Sequence, residues 1–355
     1  MSNKILMKGN EALAEAAMRA GCRFFFGYPI TPQTELAAYM SKQMPKRGGT
    51  YLQAESEIAA INMVYGAAAA GARAMTSSSS PGISLKTEGI SYMAGADLPG
   101  VIINVQRGGP GLGSIQPSQS DYFQATRAMG HGDFYLPVYA PSTVQEMADV
   151  AFRAFDIADK YRTPVVILAD GMLGQMMEPV VMPEPLNIED LPEKPWATTG
   201  THGERPHNIV NSLFLAADVC EKQNIERFKR YEMIKRDEVR SESYRCEDAE
   251  IALVAYGACA RICRTAVNAA REKGIRAGLI RPITLWPYPY DAIRECDAKV
   301  FLSVEMSMGQ MVEDVRLGVE GAAEVEFYGR CGGVIPTPEE VLVKIEEIHE
   351  RLGDR

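Results

Sequence analysis

The sequence predicts an α/β protein of two domains, each built on a parallel sheet, with a proline-rich segment between them. Helix-like and strand-like stretches alternate over residues 1–175, and a second alternation begins near residue 250. Between the two, the composition changes to proline and mixed charge. With 355 residues, 46% of them hydrophobic, the chain has room for two domains at roughly 100 to 200 residues each.

The elements of the first half follow from hydrophobic periodicity and turn residues. The pattern predicts helices over residues 10–20, 34–44, 57–71 and 143–160. Short apolar runs predict strands over 23–27, 73–76, 100–106 and 163–169, with a loop over 77–82. The run over 100–106, GVIINVQ, is mostly apolar, as a parallel strand buried on both faces requires.

The remaining residues divide into a linker and a second α/β unit. A linker or strapping segment is indicated by Pro179, Pro183, Pro185, Pro192, Pro195 and Pro206. The mixed charge of residues 208–245 favours a solvated helix with i,i+4 ion pairs over a nucleic-acid patch. A strand, helix, strand, loop and strand are then predicted over 250–257, 258–272, 276–281, 282–289 and 299–305. The predicted domain limits are 1–180, 181–247 and 248–355.

Charge and hydropathy exclude several classes of function. The net charge of −9 and the lack of a long basic run argue against a dedicated nucleic-acid-binding protein. No apolar run approaches the roughly 18 residues of a membrane span. The first residues, MSNKILMKGNEALAEAA, lack the apolar core of a signal peptide. We therefore expect a cytoplasmic protein that needs neither membrane nor nucleic acid.

The seven cysteines lack the CxxC spacing of common metal and cluster sites. Cys259 and Cys263 are four residues apart on a predicted helix, but two sulfurs without a nearby histidine make a poor metal site. We interpret the cysteines as reduced, packed thiols and predict no metal ligands in this chain. Any iron–sulfur clusters would then be held elsewhere.

Two acidic residues, Glu55 and Glu57, stand where a predicted strand meets an apolar helix. A carboxylate in the first turn of a helix is favoured electrostatically, so one of them could simply cap the helix. A cap explains less well why two glutamates lead into a run apolar enough to be buried. Burial disfavours the charged form of a carboxyl group, and a protonated glutamate can share its proton with a ring nitrogen. Spacing alone leaves both interpretations open.

Two further sites lie at predicted strand ends. Arg107 directly follows the buried strand and precedes GGPGLG, where an arginine can pair with an anion at the edge of a parallel sheet. A surface ion pair is the alternative. The glycine run lacks GxGxxG spacing and is better interpreted as a flexible loop or lid. In Tyr28-Pro-Ile-Thr-Pro32 the two prolines hold Thr31 in an extended setting, which is either a ligand site or only a stiff turn.

The sequence also lacks the motifs of self-sufficient catalysis. Among four histidines no serine–histidine–acid pairing stands out, and neither HExxH nor a Walker A motif occurs.

Together these segments resemble the 2-oxoacid:ferredoxin oxidoreductase family, most closely its separate α-type subunits of the branched-chain (2-oxoisovalerate) kind. The resemblance rests on MKGNEALAEAA, GCRFFFGYPITPQTE, QAESEIAAINMVYGAAAAGARAMTSSSSPG, VIINVQRGGPG, IRPITLWPYP and SVEMSMGQMVEDVR. These run in order from residue 7 to about residue 316, and the combination of YPITP with the ESE-bearing helix is specific.

The resemblance implies a thiamine diphosphate-binding fold of the pyrimidine type in the first domain and a transketolase C-terminal-like α/β domain in the last. Glu57 then corresponds to the buried glutamate that hydrogen-bonds the pyrimidine ring and activates the cofactor. Thr31 and Arg107 would bind the 2-oxo acid. The further cofactor contacts that the resemblance implies are Tyr28, Pro29, Ile30, Ser80 and Gly82.

The resemblance also implies partners, because Ala169-Asp-Gly171 lacks the leading glycine of a magnesium–diphosphate signature. We expect Mg²⁺, the diphosphate half of the site and [4Fe-4S] clusters on a β-type subunit, a γ-type subunit and a ferredoxin-like δ subunit. External ferredoxin would accept electrons and coenzyme A the acyl group, and this chain alone would be inactive. The alternatives are a subunit acting on 2-oxoglutarate or pyruvate, another thiamine-dependent component of transketolase type, and a non-catalytic assembly subunit.

Overall fold

Two large sheets and one two-stranded sheet organise the chain in the computed structural model, which describes residues 4–353. Residues 1–3 and 354–355, at the outer limits of the first and last predicted domains, lie outside this range. The strands of the first half are β1 (Ile5–Lys8), β2 (Phe24–Gly27), β3 (Thr50–Gln53), β4 (Ala74–Ser78), β5 (Gly100–Gln106), β6 (Val138–Tyr139), β7 (Pro164–Asp170) and β8 (Met177–Val180). Its helices are α1 (Gly9–Arg19), α2 (Thr34–Gln43), α3 (Glu57–Ala69), α4 (Pro81–Ser84), α5 (Thr87–Gly95), α6 (Tyr122–Arg127), α7 (Val144–Tyr161) and α8 (Gly171–Gln175).

The second half continues the alternation. Its strands are β9 (Ser241–Tyr244), β10 (Ile251–Val254), β11 (Ala277–Pro282), β12 (Thr284–Trp286), β13 (Val300–Glu305) and β14 (Glu324–Gly329). Its helices are α9 (Ala217–Asp237), α10 (Gly257–Glu272), α11 (Tyr290–Arg294), α12 (Met311–Val319) and α13 (Pro338–Gly353). Short 3₁₀ turns cover Pro45–Arg47 and Ile188–Asp190.

The first sheet has seven strands in the order β12-β6-β7-β5-β4-β2-β3. All its pairings are parallel except that of β12 with β6. Strand β5 spans the predicted residues 100–106 and is buried throughout, because helices cover both faces of the sheet. The small, alanine-rich faces of α1 and α7 lie in one core cluster, while α3 and α5 lie in the other. The carboxyl ends of β2, β4 and β5 therefore meet at one edge, where ligands of parallel sheets bind.

The segment between the two sheets is not only a solvated linker. Along α9, ion pairs do form on the exposed face, but at i,i+3 rather than the predicted i,i+4 spacing: Glu226 with Lys229, and Glu232 with Lys235. The opposite face is buried, and Arg227 pairs with Asp97 of the first half at 3.2 Å. Helix α9 therefore packs on the first sheet domain.

The second sheet has the order β14-β13-β10-β11-β9, with β9 antiparallel at its edge. The predicted loop over 282–289 is wrong in part, because it contains β12, which leaves the second sheet and pairs with β6 of the first. A strand of three residues is too short to show periodicity, and its partner lies far away in the sequence. The predicted domain boundary near residue 248 stays a prediction. Strand β12 follows that residue but joins the first sheet, and β9 precedes it but joins the second.

Across residues 4–353, each helix is too short or too polar to span a lipid bilayer.

Candidate active site

Glu57 is the first residue of α3, and its side chain is buried at 6% exposure. The helix cap is the residue before it: Ser56 is extended, and its Oγ accepts the N–H of Ala59 at 3.1 Å. Throughout the described part of the chain, no donor reaches the Glu57 carboxylate within hydrogen-bonding distance. The interpretation of Glu57 as a helix cap is therefore wrong, because Ser56 already satisfies the helix terminus.

A glycine makes room for this carboxylate. A Cβ atom built on Gly82 would lie 2.7 Å from Glu57 Oε1 and 2.1 Å from Ser78 Oγ. The hydroxyl groups of Ser78 and Ser79 are buried, and neither has a hydrogen-bond partner within residues 4–353. Buried polar groups are nearly always hydrogen-bonded, so these unpaired hydroxyls and the carboxylate are available to a polar ligand.

The YPITP loop follows β2 at the same edge of the sheet. Along it, Tyr28, Pro29 and Thr31 are exposed, and Ile30 is half-buried. Two buried amides hold the loop: Gln33 donates to the Tyr28 carbonyl at 3.4 Å, and Asn10 donates to the Pro32 carbonyl at 2.8 Å. The sequence predicted a rigid strand exit here, and these amides supply the rigidity that prolines alone do not.

Arg107 lies at the end of β5 and is 8% exposed. Its Nη1 donates to the Thr31 carbonyl at 3.0 Å, and its Nη2 donates to the Leu112 carbonyl at 2.9 Å. The Nε–H group is buried and has no partner within the described range. Arg107 forms no ion pair there either, which contradicts the surface ion-pair alternative. The structure thus brings Arg107 and Thr31 together, through the carbonyl of Thr31 rather than its hydroxyl.

Ser80 joins these groups into one network. Its Oγ donates to Asp121 at 2.6 Å and accepts the Arg107 backbone N–H at 3.0 Å. Asn104 donates to the same Asp121 oxygen at 2.8 Å. Burial raises the pKa of Asp121, and the hydrogen bonds from Ser80 and Asn104 oppose that rise. The sequence analysis missed both Asn104 and Asp121, although a polar residue inside an apolar strand such as Asn104 is a signal that could have indicated them.

Lys86 was also missed. It is fully buried, and its Nζ donates to the Thr76 hydroxyl at 2.8 Å. Burial lowers its pKa from the ordinary 10.5 to about 7, and the negative charge of Glu57 acts in the opposite direction. A lysine four residues after Gly82 in a mostly apolar stretch was the available signal.

A cleft of about 490 Å³ separates the glycine-rich loop from the second half of the chain. Gly113 closes the loop at φ +54°, and a Cβ there would lie 1.9 Å from the Gly108 carbonyl oxygen. Leu112 at the tip is 81% exposed. The loop is thus closely folded on itself, and its role as a lid stays a prediction.

The far wall of the cleft is held by Glu305, which is fully buried. Its two carboxylate oxygens accept hydrogen bonds from the hydroxyls of Ser303 and Ser307 and from the backbone N–H groups of Gln310, Met311 and Val312. Five donors around one carboxylate fix the loop before α12 and cap that helix.

Asp170, the acid of the incomplete ADG signature, serves the fold. It is 1% exposed, and its Oδ1 accepts the Leu173 N–H at 3.0 Å while its Oδ2 accepts the Ala258 N–H at 3.2 Å. Burial raises its pKa to about 6. Because Ala258 lies in the first turn of α10, one side chain ties the first sheet to the second domain, and both oxygens are engaged.

Two of the cysteines are packed inside the protein as free thiols. Cys259 and Cys263 are free and buried, and burial raises the pKa of each. Over residues 4–353, no group of three or more histidine, cysteine or acidic side chains is arranged to hold a metal ion.

Two family models match the chain, one in each half. Residues 15–241 match the family described as pyruvate flavodoxin/ferredoxin oxidoreductase, thiamine diphosphate-binding. Residues 249–341 match the core domain II of pyruvate:ferredoxin oxidoreductase.

Similar proteins span the whole chain. It is 52% identical to the ketoisovalerate oxidoreductase subunit VorB of Methanothermobacter thermautotrophicus, over 97% of each chain. It is 39% identical to the 2-oxoglutarate synthase subunit KorA of Methanothermobacter marburgensis, over 97% of this chain and 99% of the relative.

Solved structures agree with the fold. The 2-oxoglutarate:ferredoxin oxidoreductase of Magnetococcus marinus, with 2-oxoglutarate, coenzyme A and succinyl-CoA bound, superposes with a TM-score of 0.87 at 28% identity. The match covers 98% of this chain and 65% of that one. A split-gene transketolase in an inactive β4 tetramer gives a TM-score of 0.59 at 14% identity, over 96% and 95% of the two chains, and shows the thiamine-type fold alone. The length and level of these similarities place the chain in the 2-oxoacid:ferredoxin oxidoreductase family, to which it belongs as a VorB-like subunit.

Proposed function

We propose that the chain supplies the pyrimidine-facing half of a thiamine diphosphate site in an enzyme that oxidatively decarboxylates 2-oxoisovalerate to an acyl-CoA and reduces ferredoxin. The observation that carries this proposal is the buried Glu57 carboxylate, which accepts no hydrogen bond within residues 4–353. The VorB relative supports 2-oxoisovalerate as the substrate, and the coenzyme A complex of the M. marinus enzyme supports CoA as the acyl acceptor.

Glu57 would hold a proton against the ring nitrogen of the pyrimidine. A carboxyl group with no hydrogen bond to the rest of the chain is free to act as the acid–base partner of that nitrogen. Gly82 leaves the space that the carboxyl group occupies, and Ser78 and Ser79 offer hydroxyls to the same pocket. Thiamine diphosphate, once bound, would supply the nucleophilic carbon that attacks the keto group.

Tyr28, Pro29, Ile30 and Ser80 would line the same pocket from the ends of β2 and β4. They are placed in this role by the resemblance and by their position at one sheet edge. Ser80 in addition anchors the Arg107 backbone, so a shift of the pocket wall would be felt at Arg107.

Arg107 would bind the carboxylate of the 2-oxo acid, and Thr31 would hydrogen-bond the substrate. The guanidinium group is a fixed cation with no counter-ion in the described part of the chain, and its Nε–H is still available as a donor. Both hydrogen bonds that it now makes go to neutral carbonyls of two loops. A carboxylate would be a stronger acceptor for the same donors, because charge-assisted hydrogen bonds are about twice as strong as neutral ones.

The other half of the site would come from a partner. Asp170 has both oxygens engaged by backbone N–H groups, which leaves the ADG segment without a free ligand for magnesium. Apolar side chains stand exposed around the site, which suits a surface that a β-type subunit covers: Tyr28, Leu52, Ile58, Leu85, Leu112 and Ile115. We assign Mg²⁺, the diphosphate contacts and the [4Fe-4S] clusters to β-, γ- and δ-type partners.

The test replaces Glu57→Gln in the complex assembled with its partner subunits. We expect turnover of 2-oxoisovalerate with methyl viologen to fall about 10²- to 10⁴-fold, which is the usual contribution of a general acid–base group. Glu55→Gln is the matched control, since Glu55 is exposed and two residues away, and its turnover should stay at the wild-type level.

Unchanged turnover of the Glu57→Gln complex would refute the catalytic role and favour an assembly subunit. A colourless complex that cannot reduce viologen would instead favour a thiamine-dependent enzyme without ferredoxin. Parallel assays with 2-oxoisovalerate, pyruvate and 2-oxoglutarate decide the substrate.

A further inference from the structure

Asp121 stands at the start of α6, a position where an aspartate ordinarily caps the helix. Across residues 4–353, however, its carboxylate makes no capping hydrogen bond. One carboxylate oxygen, Oδ2, accepts the Ser80 hydroxyl at 2.6 Å and the Asn104 side-chain amide at 2.8 Å instead. The needs of the helix end therefore do not explain this aspartate, and its contacts lead to the ends of β4 and β5.

Ser80 has a backbone conformation that its surroundings must hold. Its φ of +25° lies in a region that residues with a side chain rarely adopt. The Ser80 N–H donates to Asn104 Oδ1 at 3.0 Å, and its hydroxyl donates to Asp121. Because Asn104 and Asp121 also bind each other, the three residues form a closed triangle of hydrogen bonds. Backbone strain persists where neighbours fix it in this way, and such positions cluster at functional sites.

The Ser80 side chain in turn holds the backbone of Arg107. Strand β4 pairs with β5 only as far as Ser78 and Asn104, three residues before Arg107. Beyond that point the Ser80 hydroxyl takes the place of a strand partner, because its oxygen accepts the Arg107 N–H at 3.0 Å. The end of β5 is thus fixed by a side chain.

Asp121 decides which way the Ser80 hydroxyl points. The hydroxyl has one proton and two acceptors within reach, Asp121 Oδ2 at 2.6 Å and the Arg107 carbonyl at 3.3 Å. The carboxylate is nearer and is the stronger acceptor, so it takes the proton, and the lone pairs of the hydroxyl oxygen are left for the Arg107 N–H. Without the carboxylate, the hydroxyl would turn to the Arg107 carbonyl and the N–H would lose its acceptor.

We propose that Asp121 is a positioning residue for Arg107, which orients the Ser80 hydroxyl and thereby fixes the backbone that carries the substrate-binding guanidinium group. This inference rests on the proposed function. The guanidinium group is also held by the carbonyls of Thr31 and Leu112. Because its donors form a rigid planar fork, a shift of the backbone would misalign all of them together.

The experiment compares Asp121→Ala with Asp121→Asn in the assembled complex, over a range of 2-oxoisovalerate concentrations. Both hydrogen bonds end at one oxygen, so the carbonyl oxygen of asparagine can accept both, whereas alanine accepts neither. For Asp121→Ala we expect KM for 2-oxoisovalerate to rise about 10- to 100-fold with kcat nearly unchanged, because the carboxylate contact is weakened equally in the ground state and the transition state. Asp121→Asn should restore KM close to the wild-type value.

KM also separates a positioning role from a merely structural one. A smaller amount of folded complex would lower the apparent kcat and leave KM unchanged. Asp133→Ala is the matched control, because Asp133 is exposed in the loop before β6, and it should keep the wild-type KM.

Ser80→Ala tests the route by which Asp121 acts. This variant removes the acceptor of the Arg107 N–H directly, so it should raise KM even if Asp121→Ala yields no folded complex. The double variant should have the KM of Ser80→Ala alone, because two residues on one route do not add their effects.

Three results would each overturn the inference: an unchanged KM in Asp121→Ala or Ser80→Ala, no recovery in Asp121→Asn, or multiplied effects in the double variant. Arg107→Ala separates the inference from the proposed function. If Arg107→Ala leaves KM for 2-oxoisovalerate unchanged, the proposed substrate contact fails. If it raises KM while Asp121→Ala does not, only the role of Asp121 fails.

Discussion

Gly82→Ala tests how closely the pocket is built around Glu57. The new Cβ would lie 2.1 Å from Ser78 Oγ and 2.7 Å from Glu57 Oε1. To reach an ordinary contact of 3.4 Å from the serine oxygen, the wall must open by 3.4 − 2.1, or about 1.3 Å. Gly82 has a negative φ, so alanine adds no backbone strain and the whole effect comes from this overlap.

Overpacking of this size costs roughly 1 to 3 kcal/mol of stability, because side chains must leave their preferred positions. A displacement near 1 Å at a reacting group can reduce turnover about 10²-fold, so we expect a large loss of activity with modest destabilisation. Urea unfolding and 2-oxoisovalerate-dependent viologen reduction by the assembled complex measure the two effects.

Gly66→Ala is the matched control. Gly66 is exposed in the middle of α3, and a Cβ there meets no atom within 4 Å. Alanine should stabilise the helix by up to about 1 kcal/mol and leave turnover unchanged. Wild-type turnover in Gly82→Ala would refute the reasoning, since it would mean that the Glu57 carboxyl group does not depend on the space that Gly82 leaves.

Three further predictions concern stability. Ser56→Ala removes the cap of α3 and should lower the free energy of unfolding by about 1 kcal/mol in urea titrations. Asp170→Asn places an amide donor against one of two backbone N–H groups and should cost about 1 to 3 kcal/mol, seen as a lower melting temperature. The pKa of Lys86 falls from 10.5 to about 7 on folding, so the unfolded chain binds more protons than the folded chain between these pH values. The free energy of unfolding of the wild type should therefore rise with pH across that window, relative to Lys86→Met. The rise should reach roughly 5 kcal/mol. A flat difference between pH 7 and 10 would contradict the assignment of Lys86 as a buried, titrating amine.

The elements with strong local patterns were predictable from the sequence. Strand β5 was predicted residue for residue, and the start of α3 at Glu57 was correct, because a run of buried apolar residues and an alanine-rich helix both reveal themselves in short windows. Strand β12 was not, since it is defined by pairing with β6, about 145 residues earlier in the chain.

The sequence was enough to predict which residues belong to the candidate site, but not which hydrogen bonds they make. Glu57, Arg107 and the YPITP loop lie at one sheet edge because parallel strands end there together. The choice between a cap and a free carboxylate at Glu57 could not be made from spacing, because Ser56 and Glu57 are both acceptable at a helix start. Lys86 was overlooked because its burial and its contact with Thr76 of β4 arise only in the folded chain.

The exchange of edge strands between the two sheets has a consequence for attempts to dissect the chain. Strand β12 comes from beyond residue 280 but completes the first sheet, while β9 precedes residue 248 but completes the second. A cut at the apparent junction would strip one strand from each sheet and expose the backbone groups of β6 and β11 as open edges, which invite aggregation. Because each half supplies an edge strand to the sheet of the other, we expect the two sheets to unfold in one cooperative transition. The two halves should therefore be expressed as one chain.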